Sequence, residues 1–314
     1  MRHGCILVPL DGSAQAEGAL PAAMTLARVE ARSIELLAVV EPLDELPDGD
    51  RLAPLIAEGL RTRLHSSAEQ LRVSGLGVEV AVRYGDPADV ILAHAAERSA
   101  ALIVMATHGA GGLRRWVVGS AADKVLRLAP CPVLLRPPAS PLEDRLTPWQ
   151  PKRFLVPLDG SSLAESALPL ARSWAASLGA ELLLARAQPW TAVQFAIVDG
   201  YLPDLGAPDE EAARAAADYL VEQGRHMTPG TAVRTMVLRG SPADQLLDLA
   251  ERESIDAVIM TSHGRGGLRR LALGSVADRL VRAGLCVCII HAADERASVE
   301  PLLPAMTTEG KPSP

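Results

Sequence analysis

Two stretches of this chain bring together residue types that could hold an anion. Residues 107–123 read THGAGGLRRWVVGSAAD and residues 262–278 read SHGRGGLRRLALGSVAD, with eleven of the seventeen positions identical. Between the opening residue and the closing aspartate, neither contains a carboxylate. Glycines such as Gly109, Gly111 and Gly112 let backbone come close to a ligand without side-chain obstruction. Gly119-Ser120, and Gly274-Ser275 in the second stretch, stand where a helix is expected to open. The free N–H groups and dipole of such a helix favour a phosphate. Ser120 has two readings, a cap on that helix or a hydroxyl donor to a phosphate oxygen. His108 and His263 can touch phosphate or move protons, or they can be loop residues packed over a sheet edge. The pairs Arg114-Arg115 and Arg269-Arg270 can serve a phosphate or form a solvated face.

A second duplicated element is PLDGS, at residues 9–13 and 157–161. Asp11 and Asp159 can accept hydrogen bonds from an adenine amino group or a ribose hydroxyl. The alternative is an Asx-type turn closed on its own backbone. The chain contains no G-x-x-x-x-G-K-[ST] loop, no H-E-x-x-H and no Cys/His cluster, and no strand-turn-helix G-x-G-x-x-G. No nucleophile with an oriented base can be assembled, and no catalytic residue is assigned.

These groups need a scaffold, and the scaffold is also duplicated. A chain of 314 residues suits about two domains. CILVPLDGSAQAEGALPAAMTLA returns as RFLVPLDGSSLAESALPLARSWA, and YGDPADVILAHAAERSAALIVMATHG as RGSPADQLLDLAERESIDAVIMTSHG. The blocks keep their order, which indicates a duplicated domain and not a short solenoid repeat. The expected domains are 1–138 and 153–293. A Pro-rich linker over 139–152 joins them, and a loose tail follows at 294–314.

Within each copy, apolar runs suited to buried strands alternate with helical periodicity. In the first copy the strands are CILVPL, SIELLAVVEP, VEVAVRYG, ALIVMAT and CPVLLR. This pattern predicts two copies of a doubly wound, five-stranded parallel sheet of Rossmann-like α/β type. Ligands bind such sheets beyond the carboxyl ends of the strands, where the winding reverses. The PLDGS turn, the end of strand two near Val39 and Arg186, and the glycine-rich loop all fall on that edge.

Composition narrows the options. The formal net charge of -7 argues against nucleic acid or an anionic membrane as a general partner. Four cysteines without a C-x-x-C pair read as small buried hydrophobes, with Cys286 and Cys288 on one strand face. No apolar run approaches the roughly 20 residues of a membrane span. The initial apolar run ends at Asp11, too early for a signal peptide, so a cytoplasmic location is expected.

The chain resembles the universal stress protein family in tandem form. The blocks that carry the resemblance are ILVPLDGS with FLVPLDGS, GDPADVIL with GSPADQLL, and GLRRWVVGSAADKVLRLAPCPVLLR with GLRRLALGSVADRLVRAG. The resemblance implies five-stranded domains that pair through their last strands, here within one chain, with a further homodimer as an option. ATP-binding members carry a glycine, two residues, a second glycine, nine residues, then glycine with serine or threonine. The second glycine falls on Gly109 and Gly264, and the closing pair on Gly119-Ser120 and Gly274-Ser275. The first glycine is replaced by Ala106 and Thr261. The implied nucleotide contacts are Pro9, Asp11, Val39, Ala106, Gly109, Gly112, Gly119 and Ser120 in the first copy. In the second they are Asp159, Gly264, Gly274 and Ser275.

Branched Thr261, and Arg186 read as the counterpart of Val39, make the first copy the expected ATP site. The expected function is an adenine-nucleotide-binding stress-response or signalling protein without efficient turnover. Its ligand is ATP, with or without Mg²⁺, and no tightly bound metal is expected. The alternatives are a non-nucleotide interaction scaffold and a slow ATPase.

Overall fold

The computed structural model describes residues 4–43, 48–107, 119–137, 147–188, 210–226, 230–262 and 273–291. The short apolar runs form strands buried on both faces: β1 (Ile6–Pro9), β4 (Leu102–Ala106) and β5 (Val133–Arg136). β2 (Ile34–Val40) lies between β1 and the edge strand β3 (Val78–Tyr84), where exposed residues interrupt the buried ones. The second half repeats this with β6 (Arg153–Pro157), β7 (Glu181–Gln188), β8 (Val233–Arg239), β9 (Ala257–Thr261) and β10 (Val287–Ile290). All ten join one sheet in the order β3-β2-β1-β4-β5-β10-β9-β6-β7-β8. Pairing is parallel within each half. At the seam β5 and β10 run antiparallel, with Val133 opposite Ile289 and Leu135 opposite Val287. The seam removes two apolar edges that would otherwise stay open to other chains.

Helices cover both faces. A 3₁₀ turn, Ala16–Ala19, leads into α1 (Leu20–Glu30), followed by α2 (Gly49–Val73), α3 (Pro87–Glu97) and α4 (Ser120–Leu128). The second half has α5 (Ser162–Glu165), α6 (Leu168–Leu178), α7 (Glu210–Arg225), α8 (Pro242–Arg252) and α9 (Ser275–Arg282). Alternate strand residues face opposite ways, so the sheet separates two cores. Leu36 and Ala38 join Leu26 of α1 and Leu64 of α2 on one face. Leu7 and Leu37 join Ile91 of α3 and Val125 of α4 on the other. All four cysteines are buried, with Cys286 and Cys288 in the same core. The chain leaves α1 through Ala31 at φ 52, and leaves α6 at the matching point through Gly179 at φ 65.

The end of the stretch expected as a linker is packed against the body. The Trp149 N–H donates to the Pro21 carbonyl at 3.1 Å, and the Thr25 hydroxyl donates to the Trp149 carbonyl at 2.7 Å. The Trp149 ring meets Phe154 edge-on at 6.0 Å, and the Arg136 guanidinium lies 5.7 Å from its centre.

One buried polar network separates the halves. Glu35 on β2 accepts from Arg98 Nε at 2.7 Å and from the Cys5 thiol at 3.5 Å, and its Oε1 lies 2.8 Å from His94 Nε2. Arg98 also pairs with Glu79. Burial pushes the Glu35 carboxyl up, but the bonds from His94 and Arg98 outweigh it and hold the group below its usual range. Burial, reinforced by the Glu35 charge, pushes the Cys5 thiol up to about 11. Strand register and the matching start of α8 place Leu183 and Leu249 at these points of the second half, both buried. The flanking ion pair returns with reversed sign, as Arg234 to Glu253 at 2.8 Å.

Candidate functional site at the carboxyl edge of the sheet

The winding reverses between β1 and β4, and again between β6 and β9. At the first point β1 ends in the Asp11 turn. Asp11 Oδ1 accepts from the Ser13 N–H at 2.8 Å, and Ser13 Oγ accepts from the Ala16 N–H at 3.1 Å. Gly12 sits at φ +79, and a Cβ there would stand 3.0 Å from Leu60 Cδ2. Both conditions call for glycine. In the second half Asp159 Oδ1 accepts from the Ser161 N–H at 2.9 Å and from its hydroxyl at 2.6 Å. Ser161 Oγ accepts from the Ala164 N–H at 3.2 Å. The Asx turn is thus present in both halves. Asp11 is exposed, whereas Asp159 is half-buried.

The helices that follow β4 and β9 start identically. Gly119 caps α4 at φ -60, ψ 151, and Gly274 caps α9 at φ -59, ψ 147. Neither cap makes a side-chain hydrogen bond. Ser120 and Ser275 are the first helical residues, so the reading of Ser120 as the cap is corrected. The glycine carbonyls accept from Asp123 and Asp278 N–H at 2.9 Å. These dihedrals suit any residue, so glycine is not required by the backbone. A glycine there adds no side chain in front of the first-turn N–H groups, which carry the positive end of the helix dipole.

Ion pairs fix α4 against α3. Lys124 Nζ lies 2.7 Å from Asp89 and 3.5 Å from Asp86, and Asp86 caps α3 by accepting from the Asp89 N–H at 3.0 Å. That N–H, aided by Lys124, holds the Asp86 carboxyl below its usual range. Arg279 and Asp244 make the corresponding pair in the second half.

The register revises two expectations. Pro9 pairs with Leu37 and Pro157 with Ala185, so the counterpart of Val39 is Ala187, and that of Arg186 is Ala38. Val39 and Ala187 both pack on the α3/α4-type core. Arg186 follows the opposite alternation, with Leu182 and Leu184. The sequence comparison slipped by one residue, and one residue in a strand changes the face. The second correction concerns Ala106 and Thr261. Ala106 packs in the α1-side core, and Thr261 shares the alternation of Ala257 and Ile259 on that face. Their side chains therefore point away from the face that carries α4 and α9. Pro9, Val39 and the start of α4 share one face. Gly109, Gly112 and Gly264, with His108 and His263, lie outside the described residues.

Among the described residues no group of three or more His, Cys, Asp or Glu side chains is placed to hold a metal ion. None of their helices is long and apolar enough to cross a membrane. Sequence reasoning missed the Glu35–His94 network and the cation–π contact of Arg186 with Tyr219. The available signal was the position-by-position contrast between copies, since Glu35 and His94 interrupt otherwise apolar patterns.

This architecture, two doubly wound halves joined through their last strands, has clear relatives. The sequence profile of the universal stress protein family matches residues 4–137 and 151–290. The chain belongs to that family. A universal stress protein of Mycobacterium tuberculosis is 32% identical over 193 residues, which is 61% of each chain. One from Mycolicibacterium smegmatis is 27% identical over 290 residues, 88% of this chain and 93% of that one. The crystal structure of a universal stress protein from Archaeoglobus fulgidus superposes with a TM-score of 0.70 at 22% identity, covering 93% of this chain and 99% of that one.

Proposed function

We propose that the chain binds an adenine nucleotide, ATP in the first instance, at the carboxyl edge of its sheet and acts in the stress response through that binding. The observation that carries the reading is the uncapped start of α4, with glycine where the backbone does not need it, at the point where the winding reverses. The N–H groups at Gly119 and Ser120 hold the phosphates. Val39 offers an apolar surface to the base, and Asp11 accepts from the base or ribose. Pro9 shapes the floor on the same face. Gly274, Ser275, Ala187 and Asp159 repeat the arrangement in the second half.

The first half is the stronger ATP site in this reading, on grounds different from those drawn from sequence. Val39 gives the base more apolar contact than Ala187, and Asp11 is exposed where Asp159 is half-buried. The test is mass spectrometry of small molecules released by denaturing the purified protein, with ATP titration of the stripped chain. Released or rebound adenine nucleotide supports the reading. A chain that neither carries nor binds one is the interaction scaffold instead.

A further inference from the structure

The last strands of the two halves differ in one side chain at their exits. Arg136 pairs with Ala106 in the first half, and Ile290 pairs with Thr261 at the matching register in the second. Their backbone roles are the same. The Arg136 carbonyl accepts from the Thr107 N–H at 2.8 Å, and the Ile290 carbonyl from the Ser262 N–H at 3.1 Å. Each thus fixes the strand exit that leads into the glycine-rich stretch. The arginine adds a guanidinium, and the residue is only 8% exposed. Its Nη1 donates to the Gly18 carbonyl at 3.4 Å, and its centre lies 5.7 Å from the centre of the Trp149 ring. Gly18 ends a short run of hydrogen bonds that begins at the Asp11 turn. The Gly18 N–H donates to the Gln15 carbonyl at 3.0 Å, and the Glu17 N–H to the Ser13 carbonyl at 3.4 Å. Ser13 in turn donates its N–H to Asp11 and accepts from the Ala16 N–H. One residue therefore holds both segments of the first carboxyl edge, the β4 exit through its carbonyl and the Asp11 turn through its side chain.

Arg136 follows the alternation of Leu134, on the α1 face, and does not itself meet a nucleotide on the α4 face. It acts through the two segments that it holds. What fixes the guanidinium is Trp149, which is seated by both halves. Its N–H donates to Pro21 and its carbonyl accepts from Thr25, both on α1. Its ring meets Phe154 of β6, whose ring lies 6.2 Å from that of Trp174 on α6. Trp174 Nε1 donates back to Glu30 Oε1 of α1 at 2.9 Å. We propose that Arg136 is a positioning residue for the nucleotide site of the first half and that Trp149 locks it in place. First-half affinity then depends on how the end of the linker is seated. This rests on the carboxyl edge being a nucleotide site. Apolar Ile290 gives the second half no such clamp, so its turn is held by its own bonds alone.

The test titrates ATP into the full chain carrying Gly274→Asp, which isolates the first half, and into the Gly119→Asp chain, which isolates the second. Arg136→Met keeps an apolar stem and removes the donors. It should weaken first-half binding about two- to thirtyfold, the range over which residues that touch no ligand tune a site, and leave the second half unchanged. Arg136→Lys should retain part of the affinity, and Trp149→Leu should reproduce the loss with the arginine in place. Hydrogen exchange without ligand separates positioning from a general loss of stability. In Arg136→Met the amides of Ala16 and Gly18 should exchange faster, while those of α9 keep their protection. Thermal unfolding of each variant checks the fold, and if Arg136→Met does not fold, Trp149→Leu carries the test. First-half affinity that stays unchanged in the folded variants, or an equal loss in both halves, overturns the inference and leaves the nucleotide reading standing. If the Gly274→Asp chain binds no ATP, the nucleotide reading of the first half fails and this inference fails with it.

Discussion

Replacing Gly119 with aspartate should move stability and nucleotide affinity in opposite directions. The residue caps α4 at φ -60, ψ 151, which aspartate adopts without strain. Aspartate is among the best helix caps, and at a position now lacking any side-chain cap bond it should stabilise the ligand-free protein by a few tenths of a kcal/mol. The same carboxylate stands beside the phosphates of a bound nucleotide. At about 4 Å, two like charges repel by roughly 1 kcal/mol in water and about 4 kcal/mol at an effective dielectric of 20. Affinity should therefore fall about five- to several-hundredfold. The assay is a thermal melt without ligand and an ATP titration on the same preparation. A lower melting temperature with unchanged affinity would show that the glycine serves the fold and that no phosphate sits there.

Four further outcomes follow from how the two halves are built and joined. His94→Leu alone should destabilise the first half by about 1.5 to 3 kcal/mol by stripping one hydrogen bond from buried Glu35, which keeps Arg98, and adding Glu35→Leu, the pair that the second half uses, should recover most of it, as read by urea denaturation. Because the folded-state Glu35 carboxyl lies below its unfolded value, its stabilisation is present above the ordinary carboxylate range and lost as pH falls through it, so the double variant should lose less stability between about pH 5 and pH 3. Ala31→Gly should raise stability by about 1 kcal/mol, because it relieves a left-handed alanine where α6 already uses Gly179, and a lower melting temperature would refute this. Separately expressed halves should self-associate through β5 or β10, and strictly monomeric, well-folded halves in sedimentation would contradict the seam.

Much of the fold was legible because each strand is a short apolar run and each copy confirms the other. ILVP, LIVMA and VLLR become buried strands, and the last strands of the two halves meet as expected. The site was legible at the level of segments and not of faces. Val39 and Arg186 seem equivalent when counted along the chain, yet the hydrogen-bonded register shifts them by one and sends Arg186 to the other core. Ser120 looked like a cap because serine favours that position, while the backbone places Gly119 there. Trp149 sits in a Pro-rich stretch whose composition reads as linker, and only the packing of Phe154 and Arg136 around its ring shows it to be anchored. The slip at Arg186 has a physical cause, since which face a strand residue takes is set by its pairing with other strands.

The central claim is that a nucleotide binds at the starts of α4 and α9, and calorimetric titration of the nucleotide-free chain with ATP tests it most directly. The account predicts saturable binding, with the tighter site lost in Gly119→Asp and all binding lost when Gly274→Asp is added. Absence of saturable binding in the unaltered chain, or binding that persists in the double variant, would contradict it.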